Sequence, residues 1–205
     1  MKRCVIVGGA ELNNYDRINS LLRKDDYVIY CDSGLNHMEH LSATPSLIIG
    51  DFDTHENPGL DIETIILPRA KDDIDTIFAL KEALRRGCDE FIFVGTVGGR
   101  LDLTLANLGG LVMLHDMGIP ALIICDDSEL RIVGSEPVAV TDDCRFFSLL
   151  NITGIARGIN ITGAKFPLTN GEITTSYQYG TSNEVLPGQT ATISVSEGML
   201  LLITY

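Results

Sequence analysis

Paired cysteines, long apolar runs and positive charge are all scarce in this chain of 205 residues. The five cysteines, Cys4, Cys31, Cys88, Cys125 and Cys144, are odd in number, widely spaced and never form a CxxC pair. That excludes a disulfide framework and a zinc site, and it fits a reducing cytosol, so a cytoplasmic location is expected. No apolar run approaches the roughly 20 residues of a membrane-spanning helix, so no membrane partner is expected. The run after Lys2-Arg3 is too short for the core of a signal peptide. Lys and Arg number 15 against 28 Asp and Glu, a net charge of −13. Without a basic face, non-specific binding to nucleic acid is excluded. A polyphosphate ligand could be held only through metal ions, helix N-termini and a few placed Lys or Arg residues. Also missing are GxSxG, the GxxxxGK[ST] loop, the protein-kinase motif set and a GxGxxG fingerprint.

What remains is an ordinary globular composition, 45% hydrophobic and 21% charged, at a length suited to one large domain or two small ones. Up to about residue 125, short β-branched runs alternate with helical periodicity. Strands are expected at Cys4–Val7, Tyr27–Cys31, Leu47–Ile49, Thr64–Leu67, Phe91–Val94 and Ala121–Cys125. Helices are expected at Asp16–Lys24, with Asp16 as N-cap, at Leu35–Leu41, from Lys71 to a stop at Gly87, and after the turn at 95–100 to about Met117. That order describes an α/β domain, residues 1–130, with a mainly parallel sheet. From Arg131 onward the helical period disappears. Strand-like runs at Phe146–Leu150, Asn160–Thr162, Glu172–Tyr179, Thr190–Val195 and Met199–Thr204 suggest a small β-sandwich, residues 140–205, after a boundary near 127–141. Asn170-Gly171 and Glu197-Gly198 read as hairpin turns.

The polar clusters follow strands, which in an open α/β sheet is the ligand-binding edge. Asp51 and Asp53 stand two apart after Leu47–Gly50, on one side of an extended segment. Two hard carboxylates so placed suit Mg²⁺, although a lone DxD is more often a polar turn. Asp72 and Asp75 are spaced to share a helix face, and capping alone would account for either. Gly98-Gly99-Arg100 before Asp102 combines backbone access, a helix N-terminus and a bidentate clamp, a reasonable phosphate cradle. Gly8-Gly9 is a weaker signal of the same kind. His37 and His40 lack a third ligand at matching spacing and read as surface or cap residues.

Taken together, Asp32-Ser33-Gly34, Pro45 with Gly50-Asp51-Phe52-Asp53-Thr54, Lys71-Asp72-Asp73-Ile74-Asp75, Gly98-Gly99-Arg100-Leu101-Asp102 with Asn107, and Thr181-Ser182-Asn183 resemble the thiamine pyrophosphokinase family in order and spacing. The resemblance implies transfer of a pyrophosphoryl group from ATP to the hydroxyl of thiamine, giving thiamine diphosphate and AMP. It implies an α/β catalytic domain, a C-terminal β-sandwich, and a homodimer with active sites between subunits. Carried over, Asp51, Asp53 and Asp75 hold Mg²⁺ on the triphosphate, and Asp32 and Asp102 complete the acidic cluster. Asp51, Asp53, Asp75 and Asp102 are then the catalytic carboxylates. Asp32, Lys71, Asp72, Gly98, Gly99, Arg100 and Asn107 contact ATP, and Ser182 and Asn183 meet thiamine. Leu103, Ile74 and the aromatic-free stretch Met199-Leu200-Leu201-Leu202 depart from the family pattern. A related transferase with another small-alcohol acceptor, and a non-catalytic nucleotide or thiamine sensor, stay open as alternatives.

Overall fold

The structure, a computed structural model, describes residues 2–52, 59–70 and 72–205, and divides into units Met1–Asp127 and Ser128–Tyr205. Asp53 and Lys71 lie outside the described residues.

The first unit runs β1 (Arg3–Val7), α1 (Tyr15–Leu21), β2 (Tyr27–Cys31), a 3-10 helix (Asp32–His37), β3 (Pro45–Gly50), β4 (Thr64–Ile66), α2 (Asp75–Arg85), β5 (Glu90–Val94), α3 (Leu101–Asp116) and β6 (Ala121–Ile124). Its strands order as β6-β5-β1-β2-β3-β4, and every pair is parallel. The apolar alternation explains the layering. Val5, Val7, Val28, Tyr30, Ile48, Ile92 and Val94 share one face of the sheet and pack with Ile18 of α1 and Leu35 of the 3-10 helix. α2 and α3 meet closely at Gly110, where an added Cβ would lie 3.1 Å from Ile77 Cδ1. The chain winds outward from β1 to β4, then returns to the other side of β1 for β5 and β6. The switch point therefore lies between β1 and β5, where open α/β sheets bind ligands at the carboxyl ends of their strands.

Helix boundaries differ from the sequence expectation for local reasons. α1 is capped by Asn14, whose Oδ1 accepts the Arg17 N–H at 3.3 Å, and not by Asp16. α2 starts at Asp75 because Ile74 is extended at ψ 157°. Asp72 thus sits in the bend before the helix rather than in its first turn. The helix expected at Leu35–Leu41 is instead the 3-10 helix, which begins at Asp32 immediately after β2. At the other end of α2, Gly87 takes φ 78° after Arg86, as expected of a C-terminal stop.

The second unit is antiparallel and comprises β7 (Glu129–Val133), β8 (Val138–Thr141), β9 (Phe147–Leu150), β10 (Ile155–Thr162), β11 (Leu168–Thr174), β12 (Gly180–Asn183), β13 (Thr190–Ser194) and β14 (Leu200–Thr204). Within it β12-β9-β14-β7 lie in one sheet and β11-β10-β13-β8 in another. Phe147, Leu149, Leu200 and Leu202 of the first sheet close on Ile159, Ile173 and Ile193 of the second, all fully buried. Each such side chain contributes about 1.5–3 kcal/mol of burial. β7 and β8 occupy the stretch expected to be a boundary.

The two hairpin expectations fail. Asn170-Gly171 lies inside β11, where Asn170 at φ 52° forms a bulge against β10 between the Ile159↔Gly171 and Ile161↔Leu168 pairs. Glu197-Gly198 does turn the chain, with Gly198 at φ 79°, but it joins strands of different sheets.

Candidate active site

The acidic cluster is built by three elements of the first unit. Asp32 leaves the end of β2, Asp51 follows β3, and Asp75 is the first residue of α2. Carboxylate oxygens of the three lie within 4.8 Å of one another. Asp32 is buried and holds a left-handed backbone at φ 40°, a costly conformation for a residue with a Cβ. Gly50 permits it, because a Cβ there would come within 3.1 Å of Asp32 Cα and Cβ. Three like charges this close repel unless a cation joins them. All their donors are hard oxygens, the set that suits Mg²⁺. The α2 N-terminus adds its positive dipole end at Asp75.

Around the cluster opens a cleft of about 580 Å³ at the switch point, lined by the segments that follow β1 (residues 8–11), β2, β3 and β5 (Gly95, Thr96 and residues 98–100). Glycines let these ends meet. A Cβ on Gly34 would run into the Val7 carbonyl oxygen, and one on Gly9 into the Ser33 hydroxyl. The closeness of Gly8-Gly9 to a ligand cleft was legible in the sequence as two glycines after a strand. Ser33 was legible only as part of the Asp32-Ser33-Gly34 motif, and the linings from Thr76 and Thr96 carried no sequence signal.

Asn107 of α3 is buried in the cleft wall. Its Oδ1 accepts the Thr76 hydroxyl at 2.5 Å and its Nδ2 donates to the Thr96 carbonyl at 2.8 Å, tying α2, α3 and the loop after β5 together. Its amide is therefore committed to framing the cleft. Thr96 Oγ1 is buried with no hydrogen-bond partner among the described residues. An unpaired buried hydroxyl costs about 1–3 kcal/mol. Thr96→Val is accordingly expected to raise the free energy of unfolding by about 1 kcal/mol, read from urea midpoints.

Gly98 at φ 118° and Gly99 at φ 61° carry the chain into α3 in conformations that disfavour a side chain. Arg100 reaches from the cleft rim, exposed, and donates to Asp102 at 3.2 and 2.5 Å. That pair raises the Arg100 pKa and holds the Asp102 carboxyl below its ordinary value. Asp102 is thus exposed on α3 and is not brought into the acidic cluster, contrary to expectation. At the first turn of a helix its side chain turns outward with the helix face it occupies, where the guanidinium meets it. Asp72 is exposed and absent from the cleft lining among the described residues. Cys31 packs its thiol 3.8 Å from the Asp75 carbonyl. Burial, then the Asp75 and Asp32 charges, push that thiol well up, so it stays protonated.

In the second unit, Ser182 and Asn183 differ in kind. Asn183 is buried, and its amide closes on the Phe166 backbone, accepting from N–H at 3.0 Å and donating to C=O at 2.8 Å, while also accepting from Glu184 N at 2.9 Å. It builds the loop and has little left to offer a ligand. Ser182 is exposed at φ 57°, in an irregular stretch of β12 between the Gly180↔Leu149 and Asn183↔Phe147 pairs, with its N–H held by Ser148 Oγ at 3.1 Å. Such bulges re-aim side chains at functional positions.

Residues 18–123 match the family model described as thiamin pyrophosphokinase, catalytic domain, and residues 138–200 match the thiamin pyrophosphokinase vitamin B1 binding domain. The chain is similar to the thiamine pyrophosphokinase of Bacillus subtilis (strain 168), 26% identical with 99% of this chain and 98% of that protein covered. A crystal structure of thiamine pyrophosphokinase from Bacillus subtilis has the same fold, with a TM-score of 0.86, 22% identity and 99% and 98% of the two chains covered. So does thiamin pyrophosphokinase from Candida albicans, with a TM-score of 0.72, 17% identity and 98% and 89% covered.

Proposed function

The chain belongs to the thiamin pyrophosphokinase family, and from that premise we propose how its residues divide the work of the reaction. The family's enzymes use ATP and thiamine as substrates, and this chain is a thiamine diphosphokinase: it transfers a pyrophosphoryl group from ATP to the thiamine hydroxyl, releasing AMP.

The observation that carries the assignment of roles is the convergence of Asp32, Asp51 and Asp75 at the mouth of the switch-point cleft. These carboxylates would hold Mg²⁺, with Asp53 proposed as a further ligand. When bound, the ion supplies charge neutralisation and orientation at the phosphate oxygens. The chain's own groups do the rest. Gly98 and Gly99 allow the backbone to approach the phosphates, and Arg100 exchanges Asp102 for them. Lys71 and Asp72 are proposed contacts to the nucleotide, and Asn107 keeps the wall in place. The thiamine hydroxyl attacks the β-phosphorus in line and AMP leaves. A loose transition state puts the demand on charge stabilisation rather than on a dedicated base. The net charge of −13 favours approach of the cationic thiamine.

Ser182 is proposed to contact thiamine, with its strained backbone as support. Ser182→Gly is expected to relieve that strain, stabilising the protein by about 1 kcal/mol, and to raise the KM for thiamine with little change in the KM for ATP. We further propose a homodimer with shared active sites. The leucines Leu101 and Leu105 of α3, 70% and 59% exposed, are the apolar surface that favours it. A cytoplasmic location is proposed from the free state of all five cysteines. Incubation with ATP, Mg²⁺ and thiamine tests the reading: AMP and thiamine diphosphate must form in equal amounts. Nucleotide and thiamine binding without AMP would replace it with a sensor.

A further inference from the structure

His37, expected as a surface or cap residue, is 5% exposed at the end of the 3-10 helix. Its Nε2 lies 2.9 Å from the Ala10 carbonyl and its Nδ1 lies 2.8 Å from the Tyr15 hydroxyl. A carbonyl can only accept, so Nε2 carries the proton. In the neutral ring Nδ1 is then the acceptor and Tyr15 donates to it. Burial lowers the His37 pKa, which keeps the ring neutral.

Ala10 belongs to the Gly8–Glu11 segment that lines the nucleotide cleft. Its N–H donates to the Gly95 carbonyl at 2.9 Å. Both peptide groups of Ala10 are therefore tied, one to the loop after β5 and one to the helix after β2. Farther along, the Asp126 carboxylate accepts from the Asn13 and Asn14 N–H groups. Those bonds fix the start of α1 but leave the cleft-lining peptide to His37. The Ala10–Glu11 peptide is trans, so a carbonyl turned toward His37 turns the Glu11 N–H to the opposite side.

We propose that His37 is a positioning residue for the nucleotide, holding the Gly8–Glu11 backbone in the orientation that receives ATP. The inference rests on the ATP-binding role assigned to this cleft above. Orientation of a few backbone groups to well under an ångström is what nucleotide positioning requires, and the bond from His37 Nε2 to the Ala10 carbonyl supplies it, while the Tyr15 bond stabilises the buried ring.

A matched pair of polar variants tests the idea. In His37→Gln the side-chain amide can still donate to Ala10, whereas in His37→Asn it is too short to reach and retains only an acceptor for Tyr15. Tyr15→Phe serves as a third variant, removing the hydroxyl while leaving the Ala10 bond. ATP binding is measured by calorimetry in the presence of Mg²⁺, and the KM values for ATP and thiamine are measured beside thermal midpoints. His37→Asn is expected to weaken ATP binding and raise the ATP KM by about fivefold or more, with kcat and the thiamine KM within about twofold. His37→Gln is expected to restore ATP binding to within about twofold. Tyr15→Phe is expected to lower the thermal midpoint without moving the ATP KM. Unchanged ATP binding in His37→Asn overturns the proposal, as does a Tyr15→Phe effect on ATP binding equal to that of His37→Asn. If the unaltered protein binds no ATP, the assignment of the cleft fails instead, a result separate from either.

Discussion

Replacing Asp75 by asparagine is expected to cut turnover by about 10²–10³-fold while leaving the fold intact or more stable. Asp75, Asp51 and Asp32 place carboxylate oxygens within 4.8 Å of one another. At an effective dielectric of about 20, a like-charged pair at such a separation costs on the order of 3 kcal/mol. Partial exposure of Asp51 and Asp75 reduces this to about 1–2 kcal/mol in the metal-free protein. Asparagine removes one charge at nearly the same volume, so the thermal midpoint without Mg²⁺ should rise. The unaltered protein should gain stability on adding Mg²⁺, by about 1.4 kcal/mol at ten times the dissociation constant, and the variant should lose most of that gain. Calorimetric melts with and without Mg²⁺, alongside AMP release, check both halves. A variant that kept more than a tenth of the activity, or that responded to Mg²⁺ like the parent, would remove Asp75 from the metal site.

Gly95→Ala is expected to be the most damaging small substitution in the first unit, costing about 3–5 kcal/mol. Gly95 has φ 62°, and its added Cβ would drive into the Gly8 carbonyl oxygen. The left-handed conformation alone costs about 1–2 kcal/mol for an L-residue. The clash cannot be relieved by a rotamer, because both partners are backbone at adjacent strand ends across the switch point. The same movement would break the Ala10 N–H bond to the Gly95 carbonyl and so deform the cleft. Gly109→Ala is the control. That glycine lies within α3 with nothing near its missing Cβ, so alanine should stabilise by about 0.5–1 kcal/mol. Urea unfolding of the two variants should move in opposite directions, and a loss below about 1 kcal/mol for Gly95→Ala would contradict this account of the strand ends.

What could be read in the sequence follows from the range of the physical signal. β-Branched runs, glycine stops and helical spacing are local, so the parallel strands of the first unit and α1, α2 and α3 were legible within a few residues, whereas the helix expected at Leu35–Leu41 was not. Asp51 and Asp75 were legible because each stands at a strand end or helix start. Partner choice is long-range and was not. Nothing near Glu197-Gly198 states that β13 and β14 join different sheets, and Asn170-Gly171 offers the same φ to a bulge as to a turn. The fate of a polar side chain depends equally on what folds back on it. Asn183 sits in a site-like motif yet spends its amide on Phe166, Asp102 faces outward to Arg100, and His37, one residue of an apparently exposed pair, is enclosed by Tyr15 and Ala10.

ATP labelled at the β-phosphorus shows whether the proposed carboxylate cluster and switch-point cleft serve transfer of an intact pyrophosphoryl group to thiamine. With Mg²⁺ and thiamine, the label should appear entirely in thiamine diphosphate and none in AMP, and omission of Mg²⁺ should abolish the transfer. Release of the label as ADP or inorganic phosphate, with no labelled thiamine diphosphate, would contradict the account.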